Sequence, residues 1–313
     1  MRYNKRFYLF ISVIILFLIF ISFVNKKTNN KLHQREFNKQ YKIFSLLPPD
    51  NLLFSNEVVP YNSSEIWQRL DKELLRNTYW QSNTLLYFKR ANKYFPIIEP
   101  ILKINEVPDD FKYLALIESG LENVVSPSGA AGFWQFLKET GKEYNLEVNT
   151  SIDERYNLEK STFAACEYLK DAYTQFGSWT MAAASYNMGM NGIRRAIELQ
   201  GTNNYYNLFL NKETSQYIFR IIAIKEIMEN PVKYGFFFRA QDLYSMRDFR
   251  VVEVDYTIED LYQFSIENGI NYKILKEFNP WLRKSILPNK SKKKYKIHIP
   301  LSTENIVFQN ISN

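Results

Sequence analysis

The hydrophobic periodicity between residues 61 and 230 is the clearest guide to the fold of this chain. Apolar side chains recur there every three or four residues, as they do on the buried face of an amphipathic helix. The period-2 alternation that is typical of strands is nearly absent. We therefore predict an all-α region. A chain of 313 residues is long enough for a sizeable core and for more than one domain.

One predicted helix ends in a carboxyl group that is followed by a loop of small residues. Its apolar positions repeat at helical spacing after a start signal at Pro108: Phe111, Leu114, Ile117 and Leu121. Glu118 lies near the helix end, which Gly120 marks, and the loop spans residues 126–136. Apolar neighbours disfavour the charged form of a carboxyl group, so this position suits an acid with a raised pKa. A solvated glutamate on an ordinary helix is the alternative.

The counts of histidine and cysteine exclude several kinds of site. The two histidines, His33 and His298, lie near opposite ends of the chain, which gives little support to a histidine-based metal site, a Ser-His-Asp triad or a Cys-His pair. The single cysteine, Cys166, excludes intrachain disulfides. We predict that it is a buried, inert thiol on one stripe of a helical block that spans residues 153–176. The stripe consists of Phe163, Cys166, Leu169, Tyr173 and Phe176.

The N-terminal segment reads as a membrane anchor. Residues 7–24 form an apolar run that only Ser12 and Ser22 interrupt, and basic residues flank it on both sides. Eighteen residues are just enough to span a bilayer core, and no small-residue cleavage motif ends the run. We therefore expect an uncleaved transmembrane helix within residues 1–27, a polar tether over residues 28–60, and export of the rest of the chain into the cell envelope.

The pattern changes after Gly235. Residues 249–254 and 295–299 alternate like short strands, and two short helical patterns lie between them. Thr257 is the predicted cap of the first helix. We predict a small βααβ module over residues 250–301, which follows a helical domain over residues 61–240. A basic run precedes the last strand: Lys290, Lys292, Lys293, Lys294 and Lys296. It is either a solvated loop or a surface that attracts anionic wall polymers or lipid headgroups.

Four short motifs occur in order along the helical region. They are Glu118-Ser119, the loop sequence from Gly129 to Gln135 (Gly-Ala-Ala-Gly-Phe-Trp-Gln), Tyr186-Asn187-Met-Gly189, and Glu213-Thr214 followed by Tyr217. On these motifs, residues 65 to about 235 resemble the catalytic domain of soluble lytic transglycosylases. Residues 250–300 resemble a LysM module, in which Asp255-Tyr256 stands where the family usually has Gly-Asp.

The resemblance implies a mainly α fold, with a lysozyme-like all-α catalytic domain and a βααβ module that binds N-acetylglucosamine-containing glycans. It implies a peptidoglycan lyase that cleaves the β1,4 bond between N-acetylmuramic acid and N-acetylglucosamine without a cofactor or metal. Glu118 is then the acid and base, and the C6 hydroxyl of the sugar closes a 1,6-anhydro ring. The residues implied to hold the substrate or orient its hydrogen bonds are Ser119, Ser128, Gln135, Tyr186, Asn187 and Tyr217.

Several alternatives stay open. In one alternative, Ser119 forms hydrogen bonds only within its own turn, and Asn187 caps a helix end. Asp153 and Glu154 can be a second carboxylate or, as we expect, residues that start a helix. The chain can also be a hydrolase similar to goose-type lysozyme, or a wall-binding protein without turnover. The net charge of +7 fits anionic partners, and we expect peptidoglycan strands and a membrane rather than nucleic acid.

Overall fold

The computed structural model describes residues 31–32, 35 and 43–301. The predicted anchor at residues 7–24 lies outside this part of the chain. Among the residues that are described, no helix has the length and apolar character needed to cross a membrane. From Leu46 onward the chain forms one compact unit, which includes both the helical region and the C-terminal module.

The region from residue 61 to residue 240 is mostly helical, which confirms the prediction from its periodicity. Its α-helices are α1 (Ser64–Tyr79), α2 (Gln81–Ile104), α3 (Lys112–Ser119), α4 (Lys138–Glu143), α5 (Leu158–Phe176), α6 (Trp179–Met188), α7 (Met190–Gln200) and α8 (Lys212–Glu229). Helix α8 packs against α1, α3 and α6. Short 3₁₀ helices connect these elements at Asp109–Phe111, Glu154–Tyr156, Tyr205–Asn207, Pro231–Tyr234 and Ala240–Asp242.

Prolines inside a helical pattern predict that the helix breaks, and on this ground a break is expected at Pro96 and Pro100. That expectation is wrong, because helix α2 runs through both prolines. A proline inside a helix costs about 3 kcal/mol or more, because it removes a hydrogen bond and crowds the preceding turn. Five large side chains of α2 are buried in the core: Phe88, Phe95, Ile98, Ile101 and Leu102. Each of them contributes about 1.5–3 kcal/mol by burial. Together they outweigh the two prolines and keep the helix continuous.

The buried face of α5 differs from the predicted stripe. Phe163 and Tyr173 are 44% and 39% exposed, whereas the buried side includes Cys166, Leu169 and several alanines. Helix α5 packs between α2 and α6, and small side chains allow the helices to approach closely. The two aromatic rings therefore lie outside the contact, where Tyr173 stacks on Trp179. Cys166 is buried as predicted, and burial raises the pKa of its thiol to about 12.

A short hairpin precedes α1 within the predicted tether. Its strands β1 (Leu53–Phe54) and β2 (Glu57–Val58) are antiparallel, with Phe54 opposite Glu57. Phe54 and Val59 are almost completely buried in the helical core. The Glu57 carboxylate accepts hydrogen bonds from the backbone N–H groups of Trp179 (2.6 Å) and Thr180 (2.9 Å). It thereby caps the N-terminus of α6. Residues 52–59 are thus an integral part of the helical domain.

The C-terminal module has the predicted order of strand, helix, helix and strand. Strands β3 (Phe249–Val254) and β4 (Tyr295–Pro300) are antiparallel, and α9 (Leu261–Glu267) and α10 (Tyr272–Phe278) lie between them in the sequence. The cap of α9 is Asp260, whose carboxylate accepts from the Tyr262 N–H at 2.8 Å. The expectation for Thr257 is wrong, because its hydroxyl instead accepts from the backbone N–H of Asn289 at 2.9 Å.

Candidate active site

Glu118 lies in the last turn of α3, which packs between α2 and α8. Tyr113, Leu114 and Leu116 on this helix are buried and fix its position. The helix ends at Gly120, which adopts a left-handed conformation with φ of 62°. Gly120 donates its N–H to the carbonyl of Leu116, as is usual where a glycine terminates a helix. The chain then turns away and leaves Glu118 half-buried at the helix end.

Tyr217 on α8 donates its hydroxyl to Oε1 of Glu118. Burial raises the pKa of Glu118, whereas the Tyr217 hydrogen bond and the charge of Arg220 lower it and the charge of Glu213 raises it further. The net shift is upward, in the direction that the sequence predicts. The pKa of Tyr217 itself lies well above 10, chiefly because this side chain is buried. Tyr217 therefore remains a hydrogen-bond donor at neutral pH.

The loop at residues 126–136 folds back on itself. Ala131 forms bridges with both Val125 and Phe136, and the N–H of Gly132 donates to the carbonyl of Val124 at 3.0 Å. Gly132 has φ of 82°, and a Cβ at this position would lie 1.9 Å from the carbonyl oxygen of Arg155. Only a residue without a side chain fits there, so the second glycine of this motif sets the packing of the loop.

Ser119 joins the end of α3 to this loop. Its Oγ lies 2.8 Å from the carbonyl oxygen of Phe133 and 3.2 Å from that of Ala115, and it accepts from the N–H of Leu121 at 3.1 Å. The bond within its own turn and the bond to the loop are therefore both present. Ser119 is buried, and a role in orienting hydrogen bonds at the site stays a prediction.

The two polar loop residues of the predicted site differ in their surroundings. Gln135 donates its amide to the carbonyls of Gly132 (2.8 Å) and Val124 (3.0 Å), so it braces the loop from within. Ser128 is exposed at the tip, with its Oγ 2.8 Å from that of Ser126. Ser128 is consequently the one of the two whose side chain faces solvent. Roles in substrate binding stay predictions for both residues.

Tyr186 and Asn187 near the end of α6 connect the loop to α8. The Tyr186 hydroxyl donates to the carbonyl of Trp134 at 2.8 Å. Asn187 donates its amide to Glu213 at 2.9 Å and accepts from the Thr214 hydroxyl at 2.8 Å. These bonds are made by the side chain toward α8, so Asn187 is not a helix cap. The structure thus brings all four sequence motifs together, around α3, the loop, α6 and α8.

Asp153 and Glu154 are held in ion pairs with nearby cations. Asp153 accepts from Arg155 at 2.9 and 2.8 Å and caps a 3₁₀ turn, while Glu154 pairs with Lys160 and Lys293. They are structural residues at a helix start, as expected. Within residues 43–301 and the three described residues before them, no group of His, Cys, Asp and Glu could hold a metal ion.

Sequence reasoning missed two arginines near the site. Arg220 lies three residues after Tyr217 on α8, and its charge acts on Glu118. Helical neighbours at that spacing share a face, so the sequence did carry a signal for this residue. Arg155 donates to the carbonyls of Gly129 (2.9 Å) and Phe136 (3.1 Å) in the loop. Nothing in the sequence indicates this contact, because it depends on how the loop folds.

Comparison with known proteins finds two matching domain families. Residues 95–209 match the transglycosylase SLT domain, and residues 250–303 match the soluble lytic transglycosylase C-terminal LysM-like domain. The membrane-bound lytic murein transglycosylase D of Escherichia coli strain K12 is 28% identical over 235 residues, which are 73% of this chain and 50% of that protein. The same protein from strain O6:H1 gives the same values.

A protein of Alteromonas sp. (strain M-1) named for tributyltin chloride resistance is 27% identical over 125 residues, which are 39% of this chain and 60% of that protein. The chain spans about half the length of the Escherichia coli relatives that it matches. The two matched segments contain Glu118, the loop, the Tyr186-Asn187 pair and the βααβ module. The chain therefore carries a transglycosylase SLT domain followed by a LysM-like domain of the soluble lytic transglycosylase type.

Proposed function

We propose that this chain is a peptidoglycan lytic transglycosylase. Its substrate is the β1,4 bond between N-acetylmuramic acid and N-acetylglucosamine, and its products end in 1,6-anhydro-N-acetylmuramic acid. The observation that carries the proposal is the Glu118 carboxyl, whose pKa is raised by burial and which is hydrogen-bonded to Tyr217 beside the glycine-rich loop. The SLT domain and the similarity to lytic murein transglycosylase D support the same reaction class.

Glu118 performs two proton transfers in this reaction. Its protonated carboxyl first donates to the glycosidic oxygen, and the bond from that oxygen to C1 of the muramic acid breaks. The resulting carboxylate then takes the proton of the C6 hydroxyl as this oxygen bonds to C1. Mass is conserved and Glu118 ends protonated, ready for another cycle. The intramolecular hydroxyl has a high effective concentration, so no bound water is needed.

Tyr217 and Arg220 balance the two forms of the acid. Burial favours the protonated carboxyl that the first step needs, and both partners favour the carboxylate that it leaves. A group that must donate and then accept works best when its pKa lies near the working pH. The opposing influences on Glu118 fit this requirement, because neither form is favoured by all of its surroundings.

A hydrolase of the same bond is the second candidate function. Most glycoside hydrolases require two carboxylates around the bond. Glu213 is an exposed carboxylate whose charge raises the pKa of Glu118, and it is held by Asn187 at 2.9 Å. In this second candidate function, Glu213 is the carboxylate that activates a water molecule. A peptidoglycan-binding protein without turnover is the third candidate, and a direct assay of products separates all three.

Digestion of purified glycan strands in ¹⁸O-labelled water tests the reaction class. We expect fragments that end in the anhydro sugar, have conserved mass and contain no heavy oxygen, because the nucleophile belongs to the substrate. Mass spectrometry of the released muropeptides gives the measurement, with goose-type lysozyme as a hydrolytic control. One heavy oxygen at each new reducing end would replace the proposal with the hydrolase, and intact strands would favour the binding protein.

The Tyr217→Phe variant should shift the pH dependence of cleavage. The lost hydrogen bond lowers the pKa of Glu118 in the parent protein, so its removal raises that pKa. Since the first step needs protonated Glu118, kcat/KM falls as pH rises through this pKa, and we expect the falling limb to move to higher pH. Tyr113→Phe is the matched control, because it removes a hydroxyl 3.5 Å from Glu229 between the same two helices. An unmoved limb in Tyr217→Phe would contradict the assignment.

We also propose that residues 1–27 anchor the chain in a membrane, with the catalytic domain at residues 61–240 exported into the cell envelope. The apolar run at residues 7–24 and the name of the Escherichia coli relative support this location. The LysM-like module at residues 250–301 is proposed to bind peptidoglycan glycans, on the match of its sequence to that domain type.

A further inference from the structure

The LysM-like module shares its hydrophobic core with the helical domain. Ala131, Ile152 and Tyr156 of the helical domain are buried in the same cluster as the module residues Leu282 and Trp281. Ala131 belongs to the glycine-rich loop and is only 1% exposed. A module that is joined to the domain only by a flexible linker would have a separate hydrophobic core. This shared core places the module directly against the candidate site's loop.

Backbone hydrogen bonds join the two parts along one edge. The N–H of Asp153 donates to the carbonyl of Trp281 at 2.9 Å, and the N–H of Arg283 donates to the carbonyl of Ser151 at 2.8 Å. Ile152 forms an antiparallel bridge with Leu282 between these bonds. Residues 151–153 therefore pair with residues 281–283 like a short extra strand, which fixes their register and orientation.

A charged cluster closes the same interface. Lys293 of the module lies 2.7 Å from Glu147 and 3.3 Å from Glu154, and the Tyr295 hydroxyl donates to Glu147 at 2.9 Å. Glu154 is 1% exposed. A buried carboxylate is stable only when cations and donors surround it, so Lys293 has a larger effect here than a surface lysine would. Lys293 is thus the member of the basic run that pairs across the interface.

Residues 151–155, which the module contacts, in turn support the loop at residues 126–136. Arg155 donates to the carbonyls of Gly129 and Phe136, at either end of the glycine-rich sequence. Its own carbonyl oxygen is the atom against which Gly132 packs. The path of contacts thus runs from Trp281, Arg283 and Lys293 through residues 151–155 to residues 129–136. Ser119 then connects this loop to the helix that carries Glu118.

We infer that the LysM-like module is a positioning element for the reaction. It holds residues 151–156 in place and, through Arg155, keeps the glycine-rich loop in the shape that the site requires. The module thereby contributes to cleavage itself, in addition to any binding of glycans. The part of this inference that concerns turnover rests on the proposed function, whereas the part that concerns the loop does not.

The test uses charge reversal in the 313-residue chain. Lys293→Glu places a like charge beside Glu147 and Glu154, whereas Lys294→Glu makes the same change of net charge at the exposed neighbouring residue. Lys293→Arg keeps the cation. Hydrogen–deuterium exchange with mass spectrometry follows the backbone amides of residues 126–136, and peptides from α8 report on global stability.

We expect exchange in residues 126–136 to be about tenfold faster in Lys293→Glu, with little change in α8, and to be close to the parent rate in Lys293→Arg and Lys294→Glu. Unchanged exchange in Lys293→Glu would overturn the inference, and so would an equal increase in loop and α8 peptides. The cleavage assay should show kcat lowered in Lys293→Glu alone. If the parent protein shows no cleavage, the proposed function fails while the exchange result still decides whether the module holds the loop.

Discussion

Glu118→Gln should lower the rate of glycan cleavage by at least about 100-fold, because general acid–base catalysis typically contributes about 10²–10⁴-fold. The amide keeps the size of the side chain and can still accept the hydrogen bond of Tyr217, but it cannot transfer a proton. Release of soluble fragments from purified sacculi gives the measurement. Glu122→Gln is the matched control, since Glu122 is an exposed glutamate on the next turn of the chain that pairs with Arg90.

The same variant also has an expected effect on stability. The pKa of Glu118 is raised in the folded state, so the folded protein binds this proton more tightly than the unfolded chain does. Its contribution to stability is therefore fully present below the ordinary carboxyl pKa and is lost as pH rises through the folded-state pKa. At neutral pH we expect Glu118→Gln to melt at the same temperature as the parent or higher.

A variant that retains more than a few per cent of the parent activity would refute the assignment of Glu118.

Gly132→Ala should lower the free energy of unfolding by about 2–5 kcal/mol and abolish most of the activity. The single methyl group of alanine is enough to cause this loss, because its Cβ would lie 1.9 Å from the carbonyl oxygen of Arg155. A backbone atom cannot move aside as the end of a flexible side chain can, so the loop itself must shift. The left-handed conformation at this position adds about 1–2 kcal/mol for any residue with a Cβ. Denaturant unfolding gives the free energy, and sacculus digestion gives the activity.

Gly129→Ala separates the two contributions. Gly129 and Gly132 have the same φ of 82°, but a Cβ at Gly129 would meet no atom within 4 Å. This variant should lose only the conformational part, about 1–2 kcal/mol. Equal losses of stability in the two alanine variants would show that close packing on Arg155 does not determine the loop structure.

The sequence predicted best where a local pattern decides the structure. Helical periodicity and Gly120 located the helix that carries Glu118, and alternation located both strands of the module. It failed where packing overrides local preference, as at Pro96 and Pro100 in α2, a helix that buries apolar side chains from Phe88 to Leu102. The exposed ring of Phe163 has the same origin. The alanine face of α5 packs against the neighbouring helices, and this orientation leaves the larger Phe163 side chain exposed.

The candidate site shows the same division. The resemblance of four motifs brought Glu118, the loop, Tyr186 and Tyr217 together, although they lie as far as 99 residues apart. It did not indicate Arg155 or the contact with Lys293, because those bonds depend on two separate segments and on the docking of the module. Spacing along one helix would have located Arg220. Contacts between distant segments leave no such periodic trace in a single sequence.

The pairing of Glu154 with Lys293 joins residues that are 139 positions apart, and this distance sets an order of events during synthesis. The helical domain can be translated well before strand β4 (Tyr295–Pro300) exists. Its glycine-rich loop then lacks the module residues that cover Ala131, and Glu154 lacks its contact with Lys293. Long-range contacts of this kind form late, because a long loop must close before they are gained. A nascent chain therefore acquires the finished glycine-rich loop only after strand β4 has been translated.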